Sequence, residues 1–109
     1  MTVKQLLLNP SFSEIALPCP EREIGGVYIG DLLSWVMGRA EADCAWITIM
    51  SNTNVIAVAT LTDASCVILS EGVTPEDELI GLAKEKGVNL ISSKLPSYET
   101  AIILSGEIS

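Results

Sequence analysis

The chain contains no histidine, six lysines and arginines against fourteen acids, and three cysteines in 109 residues. Each shortage excludes something. Without histidine the commonest general base and metal ligand is missing, which leaves Asp, Glu and Lys for any proton transfer. A formal net charge of −8, with no three cations adjoining, repels phosphate backbones and anionic membrane faces, so neither nucleic acid nor membrane is expected as a partner. Cys19, Cys44 and Cys66 are odd in number and lack C-x-x-C spacing, which argues against a disulfide framework and against zinc; no cofactor or metal is expected. The longest membrane-like window, residues 55–69, is interrupted by Thr60, Thr62, Asp63 and Ser65 and falls short of the ~20 apolar residues of a span. The early apolar run stops at Asn9-Pro10 behind a single cation, Lys4. No secretory signal fits, and a cytoplasmic location is expected.

What remains is a core-forming composition, 49% hydrophobic and 18% charged, far from the disordered class. At this length the expectation is one domain over residues 1–109, hiding roughly 65% of its unfolded surface. Apolar runs of strand length at 27–30, 45–50, 66–70 and 89–92 alternate with helical segments at 31–39, 54–63, 75–86 and 96–105. Four β-α units in succession predict an α/β fold, a small layered sandwich whose mainly parallel four-stranded sheet carries crossover helices. A short helix over 3–8 and a short edge strand over 14–17 precede them. Residues 54–61 are rich in β-branched side chains and would also suit a strand; the caps in Ser51-Asn52-Thr53-Asn54 favour a helix. Thr74, Pro75, the acids 76–78, Lys84, Lys86 and Gly87 predict both ends of the third helix of this series.

In an open α/β sheet, ligands lie beyond the carboxyl ends of the strands. The candidates there are Gly30, Asp31, Ser51, Asn52, Asn54, Glu71, Gly72, Ser92 and Ser93. Two readings stay open: these residues cap helices and fill turns, as in any β-α connection, or they jointly line a small-molecule pocket. Catalysis finds little support, because no G-x-x-x-x-G-K-[ST] loop, G-x-G-x-x-G turn or G-x-S-x-G elbow occurs. Glu71, Asp31 and Cys19 are the residues a minor enzymatic reading would use. Cys19 lies between Pro18 and Pro20, where loop packing is the plainer role. Arg22 is expected to pair with an acidic neighbour rather than with a bound anion.

Glu21-Arg22-Glu23-Ile24-Gly25-Gly26 resembles the signature of the DRTGG domain family, with Glu21 in place of the leading Asp and Glu23-Ile24 around the position of the Thr. Gly30-Asp31-Leu32-Leu33, Ala45-Trp46-Ile47-Thr48-Ile49, residues 54–59 and the late Ser92-Ser93 resemble further landmarks of that family. The resemblance implies a small parallel α/β sandwich similar to the N-terminal domain of HPr kinase/phosphorylase, with strand order 2-1-3-4. It also implies a regulatory or accessory role, as in relatives attached to phosphotransacetylases and pyrophosphatases, with no catalytic residues. The expected function is therefore a non-enzymatic regulatory module that binds a small ligand, nucleotide-like or phosphorylated; the alternative is a protein-interaction module without a ligand. Trp35, Val36 and Met37 cannot all face one sheet, nor can Ile102, Ile103 and Leu104, since consecutive helical residues turn ~100° apart. A homodimer covering the outward members is expected. Because Gly25 and Gly26 enter a strand that Gly30-Asp31 leaves, the glycine pair reads as architectural.

Overall fold

From Cys44 to Thr48 every residue is buried. Cys44 and Trp46 turn to one face of a sheet, Ala45 and Ile47 to the other. A strand covered on both sides needs no polar face, which is why this run shows so little alternation. The computed structural model describes residues 1–108. Its elements are α1 (Val3–Leu6), β1 (Phe12–Ala16), β2 (Gly26–Ile29), α2 (Leu33–Arg39), β3 (Cys44–Thr48), α3 (Asn54–Thr62), β4 (Cys66–Leu69), α4 (Asp77–Lys86), β5 (Leu90–Ser93) and α5 (Ser97–Ile108).

The α/β expectation holds, with two corrections. The sheet has five strands in the order β1-β5-β4-β3-β2: the expected edge strand is real, spans Phe12–Ala16, and adds antiparallel to β5. The parallel strands also stand in plain sequence order, not 2-1-3-4. Each short crossover reaches only the adjacent strand, and right-handed steps in one direction bring their helices to one face. Val36 of α2, Val55 and Ile56 of α3, and Leu79 and Ala83 of α4 accordingly share a core with Trp46, Val67, Leu69 and Leu90. The opposite face would be bare without the flanking helices. Val3 and Leu6 of α1 and Leu104 of α5 cover it, against Ala45, Ile47, Cys66, Ile68 and Ile91.

Residues 54–62 are helical despite their β-branched content, and Asp63 ends the helix in the left-handed region at φ 57°. α4 starts at Asp77, later than expected. Its N-cap is Glu76, extended at φ −71° and ψ 150° and without a side-chain cap bond, so Thr74 does not cap it and Pro75 lies outside it. Asp77 and Glu78 in the first turn, Lys84 and Lys86 in the last, and Gly87 at φ 73° supply the remaining end signals, each sign matched to the helix dipole.

The segment 19–25 crosses beneath the amino ends of the parallel strands and is tied there by polar groups. Asn89, at the entry to β5, accepts from the Cys19 amide (2.9 Å) and donates to the carbonyls of Cys19 (2.7 Å) and Ser65 (3.0 Å). The Ser65 hydroxyl reaches the carbonyls of Asp43 and Glu23. Arg22 donates from Nη2 to the carboxylates of Asp43 (3.1 Å) and Asp63 (2.7 Å) and to the Asp63 carbonyl (2.7 Å). Partial burial alone would lower the Arg22 pKa, but the hydrogen bonds and charges of Asp63 and Asp43 outweigh it, and the net shift is upward. Both aspartates hold left-handed backbone, at φ 65° and 57°, which Asp tolerates better than most residues. The expected pairing of Arg22 with acidic neighbours is thus what the structure shows.

Asn89 is 1% exposed, so Asn89→Ala leaves buried backbone groups unpaired and should lower stability by ~3 kcal/mol. Arg22 is partly solvated, and Arg22→Ala should lower it by only ~1–2 kcal/mol. Urea denaturation of both variants checks the order.

Candidate functional site

Four parallel strands carry all nine sequence-predicted residues to one edge of the sheet. Gly30 and Asp31 follow β2, Ser51, Asn52 and Asn54 follow β3, Glu71 and Gly72 follow β4, and Ser92 and Ser93 end β5. Strand spacing sets them in a row ~14 Å long rather than in a ring. A row does not by itself make a pocket.

At one end of the row, Asp31 Oδ1 accepts from the Thr48 hydroxyl (2.8 Å) and the Ile49 amide (2.9 Å). This carboxylate closes the exposed end of β3, and so α2 begins at Leu33 instead of at Asp31. Gly30 is held on both sides, its amide donating to Ile47 O (3.2 Å) and its carbonyl accepting from Trp46 Nε1 (2.9 Å). In the middle, Asn52 Oδ1 accepts from the Asn54 amide at 3.0 Å, a local turn that opens α3. Ser51 is half-buried beside it.

The other end differs. From the neighbouring carboxyl ends of β4 and β5 the chain departs to opposite faces, into α4 on one side and α5 on the other. Such a divergence is where a crevice opens in an α/β sheet. Here the chain itself bridges it. Glu71 Oε2 accepts from the Ser97 amide (2.8 Å) at the first residue of α5, placing a carboxylate on the positive end of a twelve-residue helix. The Glu71 amide donates to Leu95 O (2.8 Å) and the Gly72 amide to Ser93 O (3.1 Å). Glu71 and Gly72 hold left-handed backbone, at φ 61° and 68°. Ser70 and Ser97 hydroxyls meet at 2.6 Å, and those of Ser93 and Thr100 at 2.8 Å. Ser92 is half-buried at the rim. The structure thus brings Glu71, Gly72 and Ser93 together directly, and sets Gly30, Asp31, Ser51, Asn52 and Asn54 farther along the row.

A concavity lies at the opposite edge, where sequence reasoning had placed only architecture. A cleft of about 260 Å³ is lined by Gly25, Gly26, Val27, Tyr28, Arg39, Glu41, Ala42 and Cys44. A Cβ built on Gly26 would meet nothing within 4 Å, and one on Gly25 would touch Asp43 at an ordinary 3.5 Å. Neither glycine is required by the packing of its own chain. The available signal was the glycine pair at a strand entry, since glycine in a strand weakens it and often marks a bulge, a bend or a place where a ligand or another backbone comes close.

Cys44 and Cys66 are buried, and burial raises both thiol pKa values, that of Cys66 to about 12. Cys19 is exposed, with its thiol 3.5 Å from Gly87 O and its backbone held by Asn89. Among the described residues no cluster of Cys, Asp and Glu could hold a metal ion, and no helix is long and apolar enough to cross a membrane.

The family model for the DRTGG domain matches residues 21–106. Among solved structures, the fold is similar to the CBS and DRTGG domains of the regulatory region of Clostridium perfringens pyrophosphatase, determined in complex with its activator diadenosine tetraphosphate. The TM-score is 0.69 at 17% identity, over 90% of this chain and 43% of that one. The chain therefore spans less than half the length of this structural relative. No curated protein matches it.

At pH 8 a maleimide should label one thiol, Cys19, within minutes in the native protein and all three once it is unfolded; the raised pKa values leave Cys44 and Cys66 protonated as well as buried. Mass spectrometry of the adducts reads the count.

Proposed function

The chain belongs to the DRTGG domain family, and from that premise we propose that it is a non-enzymatic regulatory module binding a small anionic ligand at the carboxyl edge of its sheet. The observation that carries this reading is the Glu71 carboxylate on the Ser97 amide. The fold places an anion at the head of α5, between helices that leave adjacent strands for opposite faces. A nucleotide phosphate or acyl phosphate suits the same position. Ser92 and Ser93 on one side and Gly72 on the other would border it, with Asn52, Asn54, Ser51, Asp31 and Gly30 extending the contact along the row. The similarity of fold to a regulatory region crystallised with a nucleotide activator supports the assignment of ligand class. Asp31 and Glu71, the acids an enzyme would use here, both accept from backbone amides, which favours binding over catalysis.

Self-association is the second element of the proposal. Trp35 and Met37 flank the buried Val36 at 53% and 48% exposure, and Ile102 is 52% exposed beside the buried Leu104. Exposed aromatic and aliphatic groups on both helical layers favour a homodimer, with a partner protein as the alternative occupant.

A ligand present at ten times its Kd should stabilise the protein by ~1.4 kcal/mol and raise Tm by ~6 °C. Thermal-shift measurements with adenine nucleotides, acyl phosphates and coenzyme A make the test. Glu71→Gln removes the competing charge and should tighten the productive ligand ~3–10-fold. No stabilisation by any of these at millimolar concentration, in the wild type or in Glu71→Gln, would overturn the ligand reading.

A further inference from the structure

β2 forms one edge of the sheet. The Gly30 amide bonds Ile47 O across the ladder, and in a parallel pair the alternate residues Gly26, Tyr28 and Gly30 face β3. Val27 and Ile29 therefore direct their N–H and C=O groups off the sheet. Natural sheets blunt such edges with charge, proline or a bulge. The opposite edge does so: β1 carries a register shift between Glu14 and Ala16, and Ser13 and Glu14 are exposed. β2, Gly-Val-Tyr-Ile, has none of these protections.

We infer that β2 pairs antiparallel with β2 of a second copy, joining two five-stranded sheets into one of ten strands. The inference rests on the self-association proposed above and names its interface. Pairing about a two-fold axis through Tyr28 makes Val27 and Ile29 exchange backbone bonds with Ile29 and Val27 of the second copy, an isologous arrangement. Gly25 and Gly26, which their own chain does not require, permit the close approach of that second backbone. The helix above the strand is self-complementary as well. Arg39 lies 3.8 Å over the Trp35 ring and lines the cleft beside Gly26 and Tyr28, which turns the Leu32, Trp35 and Arg39 side of α2 toward the edge. Two copies of α2 then meet antiparallel, with the tryptophans near the axis. Ile29, Leu32 and Trp35, 48%, 60% and 53% exposed, offer roughly 300 Å² of apolar surface per copy, a little over a third of the ~800 Å² that a stable interface covers on each partner. The bare backbone of β2 and the half-buried Val27 and Tyr28 lie between them.

Sedimentation equilibrium should give twice the 11.6 kDa chain mass, with association strengthened by added salt because both copies are acidic. Val27→Pro deletes an amide that leaves the sheet, and Gly26 before it has no Cβ to clash with the proline ring. It should yield a folded monomer that keeps its thermal-shift response to ligand. A wild-type monomer would overturn both the interface and self-association. A Val27→Pro dimer would overturn the interface alone. Should Val27→Pro not fold, amide exchange in the wild type decides: protection of Val27 and Ile29 that disappears on dilution supports strand pairing, and fast exchange at all concentrations overturns it.

Discussion

The amino ends of parallel strands present backbone groups that the ladder cannot satisfy, and in this protein they are buried. Everything else depends on how these groups are paired. The segment 19–25 does it, through the Asn89 amide with Cys19 and Ser65, the Ser65 hydroxyl, and the Arg22 guanidinium between Asp43 and Asp63. The same segment receives α1, whose Val3 and Lys4 amides bond the carbonyls of Arg22 and Pro20. One stretch of chain thus joins the bottom of the sheet to the helix that closes its second face. The arginine of the family signature has a structural reason here that requires no ligand.

Sequential strand order has a functional consequence. It gathers α2, α3 and α4 on one face, so along most of the carboxyl edge the connections all turn the same way and leave a flat row. Only between β4 and β5 do they part. Where they part, the chain spans the gap itself, the Glu71 carboxylate accepting from the Ser97 amide.

The fold was largely legible because its strongest signals are local. The apolar run at 45–49 and the periodic helices each follow from short-range chemistry, and residues 54–62 are helical as expected, although of the offered caps only Asn52 is used, in a turn onto the Asn54 amide, and the N-cap Thr53 makes no side-chain bond. Strand order was not legible, for it depends on which neighbour each crossover reaches. The start of α4 was misread because Thr74 and Pro75 offered good capping chemistry that the backbone does not use. At the carboxyl edge the sequence located the loops but not the partners of their side chains; the Glu71 bond to Ser97 joins residues 26 apart in the chain. The cleft at Gly25-Gly26 was passed over for the opposite reason. Glycine explains itself too easily as backbone freedom, and only the room for a Cβ, open at Gly26 and in ordinary contact with Asp43 at Gly25, shows that neither position needs it.

The chain's two tryptophans divide the molecule optically. Trp46 is fully buried and donates to Gly30 O beside the carboxyl edge, while Trp35 is half-exposed on α2 under Arg39. The first has the apolar surroundings that give blue-shifted emission and little access to a dissolved quencher such as iodide. In the single chain the second has Arg39 over one face and an open face on the other, the face that α2 of a second copy would cover. One chromophore thus reports on the interior and the head of the sheet, the other on its outer margin, and the natural sequence already carries a separate fluorescent reporter for each.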